Sequence, residues 1–401
     1  MGLFSGPNRE YPEPARGLKP AMKIALISFH FAEYAFLLGS ALADRHEVLL
    51  ILNKENAERE LGNRLSYADK PRLKIVCLPE RGLKNPLMFL NSVRVISEIR
   101  AFSPGVIHCQ EAINDYLMGA LAVLCKYPLV LTIHDHVPHS GKDSQDRKRI
   151  SFYRHRLRHM PDVVIVHGER IRSESEGLMP WLRGRVISVP HGPLGETHAN
   201  SIQGWESGTL LFFGRIEQYK GLRYFIDAVK ALNADRVSVK GIIAGTGHDL
   251  EQYRAEIEAD GAFELIDRYI GDDEVPGLFG RTNVVVLPYT DATQSGVVAM
   301  ALRYGRPVVA TDVGSVGEVV RDGYNGLLVP PRDVPALTSA IKRLVQNQEL
   351  AVIMARNATQ LATTELSWET ISASTVEVYR LAVTYKSGRK DGFQSRGGAK
   401  A

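Results

Sequence analysis

Two cations bracket a short polar turn in the segment Phe213-Gly214-Arg215-Ile216-Glu217-Gln218-Tyr219-Lys220-Gly221. The apolar run Thr209–Phe213 ends just before it, and Leu222, Phe225, Ile226, Val229 and Leu232 follow at helical spacing. The pattern reads as strand, turn and helix, with Lys220 opening the helix. A helix N-terminus presents free N–H groups and a positive potential. An arginine grips two oxygens of an anion at once, and a lysine supplies a point charge. The chemistry that suits this combination is the binding of a diphosphate. Read alone, the same two residues are equally compatible with a solvated surface.

A second loop of this kind follows the run Asn283–Leu287. It reads Pro288-Tyr289-Thr290-Asp291-Ala292-Thr293-Gln294-Ser295-Gly296-Val297-Val298, with a helix starting near Ser295. Gly296 would let a phosphate approach the backbone closely. A third loop, Thr311-Asp312-Val313-Gly314-Ser315-Val316-Gly317-Glu318, ends on a carboxylate suited either to a ligand rim or to a helix cap. In the N-terminal half, His134-Asp135-His136 follows the run Pro128–Ile133, and His108 closes Gly105–His108 with Glu111 near it. Residues just past the strand ends of open parallel sheets face the ligand, which makes His134 the candidate from this half. The Asp-x-His spacing lacks a third clustered ligand, and Asp272-Asp273 reads as a solvated loop. No metal site is therefore expected, and no cofactor.

Those loops need strands and helices to hold them. Apolar runs alternate with helical patterns at Lys23–Phe29, Glu47–Leu52, Leu73–Leu78, Gly105–His108, Pro128–Ile133, Asp162–Val166 and Val186–Val189. They resume at Thr209–Phe213, Val237–Ala244, Leu265–Ile270, Asn283–Leu287, Pro307–Ala310 and Gly326–Val329. Continuous rather than alternating runs are the mark of strands buried on both faces of a parallel sheet. The 401 residues suit two domains, and the polar, aperiodic stretch Pro190–Gly208 suits the link between them. A net charge of +4 is too mild to argue for nucleic acid. Three cysteines, Cys77, Cys109 and Cys125, without a CxxC pair, read as small core residues of a reducing compartment. No run approaches the roughly 20 apolar residues of a membrane span, and the first 20 residues lack the apolar segment of a signal peptide. The chain therefore reads as cytoplasmic. Residues 146–160 combine six Arg/Lys with an apolar stripe of Ile150, Tyr153, Leu157 and Met160. Such a helix either lies on the anionic inner face of a membrane or packs its stripe on the core.

The three C-terminal loops, in this order, resemble those of the family-4 (group 1) retaining glycosyltransferases of the GT-B fold. Val189-Pro190-His191-Gly192, the stretch from Tyr269-Ile270-Gly271 to Leu287-Pro288, and the closing Trp368 helix resemble that family too. The resemblance implies an α/β chain of two Rossmann-like, doubly wound domains facing across a cleft. The division expected is a flexible tail over 1–21, an acceptor-side domain over 22–195 and a donor-binding domain over 196–370. A helix over 371–386 would cross back to the first domain, ahead of a disordered tail over 387–401. The resemblance also implies site roles. Arg215, Lys220 and His134 are the catalytic candidates, the first two holding the donor diphosphate and His134 facing the donor sugar. Gly214, Gly245, Gly247, Gln294, Ser295, Gly296, Val297 and Glu318 would line the donor. The implied donor is a nucleoside-diphosphate sugar, with a sugar or lipid-linked acceptor in cell-surface polysaccharide or glycolipid synthesis. One departure stands out. The two glutamates the family usually carries fall on Ala292 and Met300 here, so a non-catalytic relative that binds a sugar nucleotide or a polysaccharide is the alternative. A nicotinamide enzyme is disfavoured, because Ser28-Phe29-His30-Phe31 follows the first strand in place of a glycine-rich fingerprint.

Overall fold

The structure, a computed structural model, describes residues 20–67, 70–79, 88–111, 115–134, 154–195, 204–271, 273–292 and 294–397. Two parallel sheets form its frame. The first holds β1 (Lys23–Ser28), β2 (Glu47–Asn53), β3 (Leu73–Leu78), β4 (Val106–Gln110), β5 (Leu129–Thr132), β6 (Val163–Val166) and β7 (Val186–Ser188), in the order β3-β2-β1-β4-β5-β6-β7. The second holds β8 (Thr209–Phe213), β9 (Lys240–Ala244), β10 (Phe263–Ile266), β11 (Val284–Leu287), β12 (Val308–Thr311) and β13 (Gly326–Val329), in the order β10-β9-β8-β11-β12-β13. Each sheet is sandwiched between two apolar clusters, one per face. That double burial is why β4, β5, β6, β11 and β12 are buried along their whole length and why β6 and β11 run continuously apolar, while β4 also buries His108 and Gln110. The strand order reverses between β1 and β4 in one sheet and between β8 and β11 in the other. Ligands of such sheets bind at these reversals, beyond the carboxyl ends of the strands.

Two strands differ from expectation. Val237–Val239 precede β9 instead of opening it. The Val237 N–H bonds to the Leu232 carbonyl, and the Asn233 amide brackets Val239, so these residues close the helix Leu222–Ala234. β10 lies at Phe263–Ile266 and not Leu265–Ile270. It pairs Phe263 with Gly241 through Ile266 with Ala244, and the Arg268 N–H then turns back onto the Ile266 carbonyl.

The last helix, Trp368–Gly397, leaves the second domain and packs on the first sheet. Ile371, Val376, Val378, Tyr379 and Ala382 join the apolar cluster on one face of that sheet. Lys386 Nζ reaches the Asp162 carboxylate at 3.3 Å. This helix begins earlier than 371, at Trp368, and runs on through Gly397, where a disordered tail was expected from 387. No proline interrupts it, and once a helix is nucleated by packing, each further turn forms at little cost. The expected tail over 1–21 falls almost wholly outside the described residues. Of the cysteines, Cys109 is buried, but Cys125 is exposed in the turn after the helix Asp115–Val123 and is not a core residue.

Of the basic stretch, 146–153 lie outside the described residues. The described end is helical over 154–158. Leu157 is buried in the core there, with Met160 packed against the same cluster. Arg158 is spent on a buried pair with Glu111. At this end the stripe serves packing. Among the described residues, no helix is long and apolar enough to cross a membrane.

Candidate active site

At the β8/β11 reversal, two loops lock together. After β8, Gln218–Lys220 form one 3-10 turn, so Lys220 precedes the helix Leu222–Ala234 instead of opening it. Gly221 between them is left-handed, with φ of 72°, and a Cβ there would stand 2.0 Å from the Pro288 carbonyl oxygen. Only glycine combines that conformation with that approach. The Thr290 N–H donates to the Tyr219 carbonyl at 2.7 Å and ties the turn to the loop after β11. Lys220 Nζ donates to Tyr289 Oη at 2.9 Å, and that oxygen lies 3.2 Å from Ser295 Oγ. The ammonium also sits 4.1 Å from the Tyr289 ring centre, a cation–π contact.

Tyr289 is the residue of this junction that spacing alone did not single out. It is buried, and it joins the cation of the first loop to the N-terminus of the helix Gly296–Arg303. Ser295 stands at that helix's N-cap position without a side-chain cap bond. Val297 lies 3.6 Å from where a Cβ of Gly214 would be, so the two loops also touch there. Arg215 is exposed at the same turn. Gln294 Oε1 is buried without a hydrogen-bond partner among the described residues.

Gly245 and Gly247 follow β9. Gly245 has φ of 139°, and its Cβ would lie 2.0 Å from the Gly214 carbonyl oxygen; that of Gly247 would lie 2.1 Å from the Ile216 carbonyl oxygen. Backbone bonds from Gly214 to Ala244 and from Ile216 to Thr246 zip the two loops together. These glycines bring one strand-end backbone against another, which places them beside the Arg215 turn. Ala292 is buried in the apolar cluster, with Met300 packed against it, so the two positions that carry glutamates in the resembling family face the core here.

Glu318 departs from its expected place on the donor rim. Its two carboxylate oxygens accept the N–H groups of Glu169 and Arg170, both at 2.8 Å. Those residues open the helix Glu169–Leu178 of the first domain. The reason is electrostatic. This helix has no side-chain cap of its own, and a carboxylate satisfies both its orphan N–H groups and its positive end. Next to it, Ser315 Oγ donates to the His167 carbonyl at 2.7 Å, and Gly168 leaves the room that Ser315 occupies. The third loop is thus a clasp between domains.

On the first sheet, three consecutive strand ends deliver three imidazoles: His134 after β5, His167 after β6 and His191 after β7. One nitrogen of each ring lies within 4.8 Å of those of the others. His134 stacks on Phe31 at 3.9 Å between ring centres, and Tyr34 packs against all three histidines and Trp368. Burial first, then the nearby His167, lowers the His191 pKa to about 3, against a hydrogen bond to the Gly192 carbonyl that raises it. His191 Cε1 lies 4.0 Å from where a Cβ of Gly296 would be, so the imidazoles adjoin the helix N-terminus of the second domain. His134 is buried and packs beside His191 at this border. Its neighbours Asp135 and His136 lie outside the described residues, as do Asp272 and Thr293. His108 lies one layer deeper, bonded to Tyr379 Oη at 2.8 Å and Thr132 Oγ1 at 2.7 Å. Linear spacing hid the histidine trio; its signal is a histidine just past each of three neighbouring parallel strands.

Two parallel doubly wound sheets, with anion-type loops at the switch point of the second, define the GT-B class of two-domain α/β proteins. The description Glycosyltransferase Family 4 matches residues 32–193, and Glycosyl transferases group 1 matches residues 207–347. The chain belongs to the family-4 (group 1) glycosyltransferases. It is 24% identical over 302 residues to an uncharacterised glycosyltransferase of Methanocaldococcus jannaschii, covering 69% of this chain and 75% of that one. It is 26% identical over 292 residues to the glycogen synthase of Mycobacterium tuberculosis, covering 71% and 70%. In fold it is similar to the Anabaena protein HepE, solved with UDP and glucose, with a TM-score of 0.65, 19% identity, and 89% and 98% of the two chains covered.

Proposed function

We propose that this glycosyltransferase moves a glycosyl group from a nucleoside-diphosphate sugar to an acceptor hydroxyl, with retention at the anomeric carbon. The observation that carries the proposal is the chain Lys220–Tyr289–Ser295, which fixes a cation over a helix N-terminus at the switch point of the second sheet. The leaving group is a nucleoside diphosphate, and its growing negative charge is what the site must stabilise. A lysine oriented in advance, an arginine at the same turn and free N–H groups at Gly296 and Val297 supply that stabilisation without reorganising. Gly245 and Gly247 then border the nucleotide, and His134 faces the sugar from the other domain. In this reading the leaving phosphate accepts the acceptor's proton as the new glycosidic bond forms on the face the leaving group vacates. The resemblance to HepE, whose complex holds UDP and glucose, supports a diphosphate donor. A sugar or lipid-linked hydroxyl of a cell-surface polysaccharide or glycolipid is the acceptor class, and the reaction would run at the cytoplasmic face of the membrane.

A thermal-shift panel of UDP, GDP, ADP and TDP on the wild type and on Lys220→Ala tests the proposal. The expected result is stabilisation by one diphosphate that the variant loses. A folded wild-type protein indifferent to all four would overturn the donor site. Binding without turnover of any matching sugar nucleotide would instead favour the non-catalytic relative, to which the apolar Ala292 and Met300 already point.

A further inference from the structure

We propose that His134, His167 and His191 form a binding site for one divalent transition-metal ion, zinc by its donor chemistry. The ligand atoms come from the ends of β5, β6 and β7, which are neighbours in the sheet. Each ring is already oriented by a hydrogen bond from one of its nitrogens. His134 Nε2 donates to Gln110 Oε1 at 2.8 Å, His167 Nδ1 to the Val189 carbonyl at 2.9 Å, and His191 Nδ1 to the Gly192 carbonyl at 2.7 Å. A neutral imidazole that donates through one nitrogen carries its lone pair on the other. One nitrogen of each ring lies within 4.8 Å of one nitrogen of each of the others. A hydrogen bond from the distal ring nitrogen to a carbonyl is the usual outer shell of a metal-binding histidine. Here all three rings have one. Three imidazoles with an open fourth position suit zinc. Tetrahedral ligands at about 2.0–2.1 Å from zinc stand about 3.3 Å apart, so the rings need to close by roughly 1.5 Å at most.

Surroundings and placement give the ion a role. Phe31, Tyr34 and Trp368 wall the trio with aromatic rings, and the trio holds no carboxylate. His191 belongs to the stretch that leads toward the second domain and lies against Gly296 of its helix N-terminus. An ion here would tie the ends of three strands to the inter-domain crossing. Its fourth position would be open to water.

The test uses the full chain stripped of metal with a chelator, then titrated with Co²⁺, whose visible absorption reports coordination, and with Zn²⁺ in a thermal melt. The expected result is one equivalent of Co²⁺ bound with a tetrahedral spectrum, displaced by Zn²⁺, and a Tm that rises with Zn²⁺. His167→Gln removes one ligand while leaving the Lys220 loop alone, so it should lose the spectrum and the Tm rise. His191→Gln serves the same purpose if His167→Gln fails to fold by circular dichroism. The exposed His155/His159 pair beside Trp181 is the competing site, and the double variant His155→Ala, His159→Ala should bind as the wild type does. Absence of one-equivalent binding by the wild type would overturn the proposal. So would an unchanged spectrum in both glutamine variants, or its loss in the double alanine variant.

Discussion

At the ends of β8, β9 and β11 the cleft is lined mainly by backbone, whereas at the ends of β5, β6 and β7 it is lined by imidazole and aromatic rings. On the first of these lips, Gly221, Gly245 and Gly247 bring main chains to distances that a Cβ would forbid, leaving one lysine, held by its tyrosine, to supply the directed charge. On the second lip, His134, His167, His191, Phe31 and Tyr34 fill the space with rings. A lip made of N–H groups and a cation suits a charged leaving group. One made of rings suits the flat faces of a sugar, or a soft ion. The contrast teaches that the two lips offer different chemistry, and each half can be broken separately.

The largest effect is expected where backbone meets backbone. Gly245→Ala puts a Cβ 2.0 Å from a carbonyl oxygen at a φ of 139°. Left-handed strain and overpacking together cost about 2–5 kcal/mol, read as a drop in chemical-denaturation midpoint. Gly277→Ala is the control. Nothing lies within 4 Å of its Cβ position, in the helix Val275–Arg281, so it should be neutral or stabilise by up to about 1 kcal/mol. Equal effects of the two would refute a backbone-built lip.

Next comes the cation. Lys220→Ala should lower kcat by about 10²–10³-fold, the usual loss for one preorganised donor to a developing oxyanion, with the melting temperature nearly unchanged. Tyr289→Phe keeps the ring under the ammonium and removes only the hydroxyl. Its loss should be about tenfold or less, the scale of one hydrogen bond. A larger loss in Tyr289→Phe than in Lys220→Ala would mean that the tyrosine, not the lysine, meets the substrate.

The two lips were not equally legible in the sequence. Gly214, Lys220, Ser295 and Gly296 share two short segments, each a strand, a turn and a helix, so their spacing carried the anion-site reading directly. The ring-built lip draws on residues 31, 34, 134, 167, 191 and 368, which only the strand order β1-β4-β5-β6-β7 and the returning helix bring together. Glu318 shows the same limit. Its own segment offered a rim or a cap, and the helix it caps lies about 150 residues earlier in the chain. Most strands were legible because burial on both faces leaves a continuous apolar run. β10 was not, because its residues are only partly buried and the apolar Tyr269-Ile270 beyond it drew the boundary outward.

A smaller effect concerns the layer beneath the rings. Burial first, then His167, lowers the His108 pKa to about 3, while the unfolded chain titrates near 6.5. Between those values the unfolded state binds the extra proton, so stability is full above about pH 6.5 and falls as the pH drops toward 3. The slope from this residue is at most about 1.4 kcal/mol per pH unit. Denaturation midpoints measured from pH 7 to pH 5 should fall more steeply for the wild type than for His108→Gln. Parallel curves would show that His108 does not carry the acid sensitivity.

The smallest effect decides to which lip the third loop belongs. If Glu318 lines the donor, Glu318→Gln should weaken nucleoside-diphosphate binding with little change in stability. If it clasps the domains, as its two 2.8 Å bonds to Glu169 and Arg170 require, binding should hold. Stability should then fall by about 0.5–2 kcal/mol, the worth of a helix N-cap. Part of that comes from the charge at the helix end and would shrink in high salt. Adding Ser315→Ala, which removes the neighbouring bond to the His167 carbonyl, should increase the loss without touching donor affinity. A double variant that binds the diphosphate weakly yet melts like the wild type would return Glu318 to the donor rim and leave the clasp to packing alone.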